Sequence, residues 1–262
     1  MTAAWTAERK YDAAVRAHLG RELLRPDSRL IERPGRKQLV TPSAVGYLNE
    51  VYWTQLGPDE IEHAIDEAIA SYRAHRLPTK WYVGPNSEPA DLGDRLLRRG
   101  FEAWDLRAMG SETDRMLALP NGVEVREVGA ADLEGYLDTQ LRGWLLPDDQ
   151  RAIERETHLE MLRKRPQTAS FFVARIGGQD VGTAGIFLRD GFGYLVGGQV
   201  LESARGRGAY RALTAARLAF LRARGDGFAV SLARESTAAP LLEHLGFETV
   251  FRCKCYVLAY TE

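Results

Sequence analysis

Cysteine is nearly missing from this chain of 262 residues, which has Cys253 and Cys255 alone. No disulfide framework can hold the fold, and a reducing interior, the cytoplasm, is the expected compartment. The two cysteines stand two apart in an expected strand with no His pattern nearby, so they read as packed thiols and no metal is expected. Charge of a single sign is missing too. Lys plus Arg (35) nearly cancels Asp plus Glu (36), and the balance holds at 17 against 18 in residues 1–120 and 18 against 18 beyond them. That removes the usual electrostatic signature of a nucleic-acid or membrane-surface partner. No stretch reaches the roughly 18 uncharged apolar residues of a membrane span. Glu8, Arg9, Lys10, Asp12, Arg16, Arg21 and Glu22 leave no room for the apolar core of a signal peptide.

What is present is an ordinary globular composition, 45% hydrophobic and 27% charged, long enough for two modest domains or one large one. Trp5, Tyr11, Val15, Leu19 and Leu23 recur near helical intervals and predict an amphipathic helix over Ala3–Leu24, ended by Pro26. A Pro- and Arg-rich connection to Pro42 precedes a strand expected over Val45–Leu56. Helix 58–76, strand 80–83, helix 90–99 and strand 101–109 complete the first half. Gly110–Gly122 is the best linker candidate. The second half reads as strand 123–128, helices 131–144 and 147–164, strands 170–176, 180–188 and 193–201, helix 208–224, strand 228–233, helix 238–245 and strand 247–258. Interleaved helices and strands predict an α/β (α+β) fold with a mixed sheet.

An internal repeat bears on the domain count. Arg95-Leu96-Leu97-Arg98-Arg99-Gly100-Phe101-Glu102 aligns with Leu241-Leu242-Glu243-His244-Leu245-Gly246-Phe247-Glu248 at a shift of 146 residues. The helix and strand upstream correspond as well. The repeat predicts two related lobes, residues 1–118 and 119–262.

The most informative run is Gly197-Gly198-Gln199-Val200-Leu201-Glu202-Ser203-Ala204-Arg205-Gly206-Arg207-Gly208-Ala209-Tyr210-Arg211, which joins an expected strand to an expected helix. Its glycines let the backbone approach a ligand closely, and the helix start adds the positive end of a dipole. From Arg205 to Arg224 there are six arginines and no acid. Together these describe a site for a phosphorylated ligand.

This segment resembles the acetyl-CoA pyrophosphate loop of the GNAT acetyltransferase superfamily, Arg/Gln-x-x-Gly-x-Gly/Ala, here Arg205-x-x-Gly208-x-Tyr210. Tyr210 departs from the pattern, adding bulk where the family has a small residue. Ala233 to Phe247 is similar to the element in which a strand splays, a short helix lies beside the coenzyme, and Gly-Phe leads into the last strand. The resemblance covers the second half. It implies a mixed, mainly antiparallel sheet flanked by helices, with a degenerate GNAT-like lobe before the coenzyme-binding one. It also implies acetyl-CoA as co-substrate and a small-molecule or amino-terminal amine as acceptor, in a monomer or homodimer. Gln199, Val200 and Leu201 would hold the pantetheine arm through backbone groups, and a backbone N–H near Val200 would face the thioester oxygen. Arg205, Gly206, Arg207, Gly208, Ala209 and Tyr210 would hold the pyrophosphate. Arg211 would either join them or stay solvated.

The resemblance leaves the proton chemistry open. The tyrosine that many members supply from the helix before Gly-Phe is Leu242 here. A glutamate base that some members carry eleven residues before the motif arginine is Tyr194, which could donate a proton, orient a water, or simply pack in its strand. Glu202 and His244 read as surface groups. Trp144, Leu145 and Leu146 fit an acceptor pocket or a core equally. The first lobe has Gln55-Leu56-Gly57-Pro58-Asp59-Glu60 at the matching junction, where proline removes an amide and two carboxylates repel phosphate, so one coenzyme site per chain is expected. The competing readings are a CoA-binding scaffold without catalysis and a transferase using aminoacyl-tRNA; charge balance opposes the latter.

Overall fold

The computed structural model describes residues 4–18, 25–42 and 49–260. Thr6 accepts the Arg9 N–H through its hydroxyl and starts helix α1, Ala7–Ala17; residues 19–24 of the expected opening helix lie outside the described residues. The stretch read as a connection contains a hairpin instead, β1 (Arg29–Arg33) and β2 (Arg36–Val40), paired from Arg29↔Val40 to Arg33↔Arg36. Its turn is Pro34-Gly35, with Gly35 at φ 72°, the pairing of fixed and left-handed residues that a tight turn needs. The strands are rich in charged side chains, which hides them from a hydrophobicity reading: Arg36 and Gln38 are buried, and Arg36 pairs with Glu67 at 2.7 Å.

There follow β3 (Glu50–Thr54), α2 (Ile61–Arg73), β4 (Thr79–Val83), α3 (Leu92–Arg98) and β5 (Glu102–Glu112). Residues 45–48 of the strand expected over Val45–Leu56 are outside the described set. Then come β6 (Val123–Glu127), α4 (Leu133–Trp144), α5 (Arg151–Arg163), β7 (Ala169–Ile176), β8 (Gln179–Leu188) and β9 (Phe192–Val200). The chain closes with α6 (Ala209–Arg224), β10 (Phe228–Arg234), α7 (Ala238–His244) and β11 (Glu248–Leu258). The fold is mixed α/β with mainly antiparallel pairing and flanking helices. No helix among the described residues is long and apolar enough to cross a membrane.

Two compact units share these elements. One comprises residues 1–22, 109–232 and 242–250, the other 23–108, 233–241 and 251–262. The chain passes between them inside β5, so the stretch expected as a linker begins as strand. In the second unit β1–β2–β3–β4–β11 form a ladder in which β3 and β4 are parallel and the rest antiparallel. Ile61, Ile65, Ala68 and Tyr72 of α2 pack there with Val51, Trp81, Leu92, Leu96 and Tyr256, and Trp81 Nε1 donates to Thr54 Oγ1 at 2.9 Å. Cys253 and Cys255 are buried in this unit, and desolvation pushes both thiols up to about 12; they are packed thiols.

In the first unit the ladder is β10–β9–β8–β7–β6, parallel between β10 and β9 and antiparallel otherwise. The faces follow from strand alternation. Gly198 of β9 faces Tyr210 and Arg217 of α6, whereas its neighbour Gln199 faces Gly143 of α4, so α4 and α6 cover opposite faces.

Candidate functional site

Strand β9 carries two irregularities. Its register with β8 passes from Gly185↔Val196 to Thr183↔Gln199, so Gly197 and Gly198 stand opposite a single residue, Ala184. This is a β-bulge whose first residue, Gly197, takes φ 59°. On its other edge β9 pairs with β10 at Phe192↔Phe228, Gly193↔Ala229 and Tyr194↔Val230 and there the pairing stops, although β9 runs on to Val200. Ser231 Oγ donates to Leu195 O at 3.2 Å at the point of parting. Beyond it, this edge of β9 has no strand partner among the described residues. Leu201 N–H is bonded to Val181 O at 2.8 Å, so alternation turns the Val200 N–H to the opposite side, toward that open edge.

The loop after β9 is built to leave donors unpaired. A 3₁₀ turn over Glu202–Ala204 is closed by Ala204 N–H to Leu201 O and Arg205 N–H to Glu202 O. The next six backbone N–H groups, Gly206 to Arg211, have no acceptor among the described residues, and the first bond into the helix is Ala212 N–H to Gly208 O at 3.0 Å. Gly206 (φ 75°) and Gly208 (φ 86°) turn the chain, and Gly208 caps α6 with no side chain over its N-terminus. Pro120 closes the back of the turn, 2.6 Å from where a Cβ on Gly208 would lie. Arg205, Arg207 and Arg211 are exposed and have no ion pair among the described residues. Six amides without an acceptor among the described residues, a helix N-terminus and three exposed guanidiniums in one loop give the chemistry that an anion cradle requires.

Tyr210, the departure from the loop pattern, is accommodated by a glycine elsewhere. Its ring turns away beneath the bulge, with Cε2 3.1 Å from where a Cβ on Gly198 would lie. Burial raises its phenol above the ordinary value and the neighbouring Arg217 partly offsets this. Arg217 stands among the six arginines between Arg205 and Arg224 in the sequence, but it is 2% exposed and lies beneath Gly198 of β9. Helical spacing from Ala209 through Leu213 to Arg217 and Leu221, all buried, is the signal that distinguishes it from Arg205, Arg207 and Arg211.

Gln199 faces the other way. Its side chain is buried, and Nε2 donates to Thr139 O at 3.1 Å and to Thr183 Oγ1 at 3.0 Å, tying β9 to α4. Gly143 makes room for it: a Cβ there would lie 1.9 Å from Gln199 Oε1. Helix α4 ends at Leu145 with φ 54°, and Trp144 and Leu145 are exposed. These are therefore surface side chains at the end of α4, not core.

Sequence reasoning passed over a buried group on α5. His158 lies between Tyr136 and Phe171, with ring centroids at 5.3 and 4.6 Å. Its Nδ1 is 2.7 Å from Glu154 O, an acceptor, so Nδ1 carries the proton. Desolvation lowers His158 from 6.5 to about 4. The Glu154 carboxylate, 3.8 Å from Nδ1, is too far for a hydrogen bond.

Tyr194 sits half-buried in the last β9–β10 pair, its ring 6.5 Å from Phe187, near the parting of the strands rather than at the loop. Leu242 is 1% exposed. Glu202 and His244 are exposed. No cluster of His, Cys, Asp or Glu among the described residues could hold a metal ion.

The acetyltransferase (GNAT) family matches residues 137–247. A GCN5-related N-acetyltransferase from Kribbella flavida is 17% identical with a TM-score of 0.67, over 97% of this chain and 96% of that one. One from Sphaerobacter thermophilus is 17% identical with a TM-score of 0.65, over 96% and 86%. A tandem GNAT protein from the clavulanic acid biosynthesis pathway is 14% identical with a TM-score of 0.60, over 96% and 88%. At these identities the likeness is one of fold. No curated protein matches this chain.

Proposed function

Because residues 137–247 of this chain match the acetyltransferase (GNAT) family, we propose that it belongs to that family and transfers an acetyl group from acetyl-CoA to the amine of a small molecule or an amino terminus. The observation that carries this is the cradle of six unbonded amides, Gly206 to Arg211, opening beside the unpaired edge of β9. The cradle suits a pyrophosphate, and the edge suits the amides of a pantetheine arm, which would complete the ladder that β10 leaves. When bound, acetyl-CoA supplies the activated thioester. The chain's own part is then to orient it: Arg205, Arg207 and Arg211 attract the phosphates, and the Val200 N–H points at the edge where a carbonyl oxygen would gain negative charge. Tyr194, at the parting of the strands, is the candidate for a proton donor or a water-orienting group.

On this reading residues 1–118 descend from a second GNAT-like lobe that has lost its coenzyme loop, and 119–262 carry the active one. A monomer or homodimer in the cytoplasm, with neither metal nor nucleic acid, suits the buried free thiols and balanced charge. A catalytically silent CoA-binding scaffold is the second reading, favoured by the burial of Leu242 where a tyrosine would serve the leaving thiol.

Calorimetric titration with acetyl-CoA should give one equivalent per chain. The double variant Arg205→Ala, Arg207→Ala should bind it more weakly by about tenfold or more and with a flatter salt dependence. Unchanged affinity refutes the loop assignment. Thiol release across a panel of amines separates the readings, since tight binding without turnover of any amine favours the scaffold.

A further inference from the structure

Arg217 is a buried cation with no anionic partner among the described residues. Its Nε donates to Leu213 O at 3.2 Å, Nη2 to Thr214 Oγ1 at 3.3 Å and Nη1, at 3.5 Å, to Gly185 O, and the Tyr210 hydroxyl is its fourth partner. Every one of these groups is neutral. No carboxylate among the described residues pairs with it, and the titratable side chains within its reach are Tyr210 on its own helix and Tyr136 on α4. Buried arginines are ordinarily met by carboxylates, because a desolvated charge left alone is unfavourable.

Packing places this charge against one point of β9. Nη2 and Nη1 lie 3.6 and 3.8 Å from where a Cβ on Gly198 would be. Gly198 has no side chain to shield it, and it sits in the bulge of the strand whose other edge β10 leaves open. A hydrophobic residue at position 217 would fill the same space beneath the sheet. The guanidinium instead sets a positive potential there that solvent cannot screen.

We propose that Arg217 is a positioning residue that acts through Gly198 to favour negative charge on the sulfur end of coenzyme A lying along Leu195–Val200. The inference rests on the acetyl-transfer reading and deepens it. In that reaction the amine nitrogen bonds to the acetyl carbon, the carbon–sulfur bond breaks with its electron pair passing to sulfur, and the amine's proton leaves to solvent. The sulfur therefore departs as a thiolate. With leucine at 242, a buried cation rather than a hydroxyl stabilises it.

The test uses coenzyme A itself, bound to the full chain, and follows the ultraviolet absorbance of its thiolate against pH, with free coenzyme A as reference. On the wild type the thiol should ionise at lower pH than in solution, giving about tenfold more thiolate at a pH below both midpoints. High salt should leave that difference in place, because the charge is buried, whereas an effect of exposed Arg205, Arg207 and Arg211 would fade. Arg217→Met should return the midpoint to that of free coenzyme A while calorimetry still detects binding, and Arg217→Lys should restore most of the depression. A wild-type midpoint at or above that of free coenzyme A overturns the inference without any variant. So does an equal midpoint in wild type and Arg217→Met when both bind. Failure of the wild type to bind coenzyme A overturns the acetyl-transfer reading, and the inference with it.

Discussion

Acidification should weaken the unit that contains His158 over a defined range of pH, and replacing that one side chain should abolish most of the effect. The imidazole is held neutral by burial against Tyr136 and Phe171, with its Nδ1–H on Glu154 O, and its folded-state value of about 4 lies below the ordinary 6.5. Below 6.5 the unfolded chain binds a proton that the folded chain refuses. Stability therefore falls as pH drops from about 6.5 and levels off once the folded imidazole also protonates, near about 4. At about 1.4 kcal/mol for each tenfold change in proton affinity, the full loss is about 3–4 kcal/mol. Urea unfolding of the intact chain between about pH 7.5 and about pH 4.5 should register most of it. His158→Gln keeps an N–H for Glu154 O and cannot titrate, so its stability should be nearly flat across that window. Glu235, lowered to about 2 mainly by its hydrogen bond with Arg107, loses its contribution as pH falls from its ordinary 4.5 toward about 2, so it enters only at the acid end of the window and equally in wild type and variant. Parallel stability curves for wild type and His158→Gln would refute the reasoning, as would an imidazole that titrates near its ordinary value by NMR.

Gly143→Ala should destabilise the chain despite the helix propensity of alanine. That propensity is worth about 1 kcal/mol, but the new methyl would displace Gln199 and break its bonds to Thr139 and Thr183, for a net loss of about 1–3 kcal/mol in urea unfolding. Gly208→Ala meets both a left-handed φ of 86° and Pro120. With about 1–2 kcal/mol of backbone strain alone, it should weaken acetyl-CoA binding in calorimetry, and undiminished affinity would show that the turn does not need its glycine.

Much of the architecture was legible because its signals are local. The order of elements from Val123 onward follows from apolar periodicity and Gly punctuation, and the cradle from glycines standing between a strand and a helix. The Arg29–Val40 hairpin escaped notice because Arg36 and Gln38 are buried on β2 through polar contacts, which no hydrophobic pattern can reveal. Gln199 was expected to matter through its backbone, and its side chain instead joins β9 to α4, a pairing of residues 60 positions apart. Arg217 was readable in principle, because it falls on the apolar stripe of α6, but its significance depends on Gly198, which only the folded register brings beneath it. The change of unit inside β5 had no local signal, since Ala108 and Met109 continue one strand.

The parting of β9 from β10 separates two duties that usually compete for the same residues. Main-chain groups along the open edge can recognise a partner without asking anything of the side chains attached to them. Those side chains are thereby released for construction work on the two faces: Gln199 fastens one helix, and the bare Gly198 admits the ring and guanidinium of another. A substitution at either position would disturb the scaffold first and recognition second, whereas β10 could be redrawn beyond Val230 with the opposite effect. Engineering a new specificity into this protein would accordingly begin on the strand that leaves, not on the one that stays.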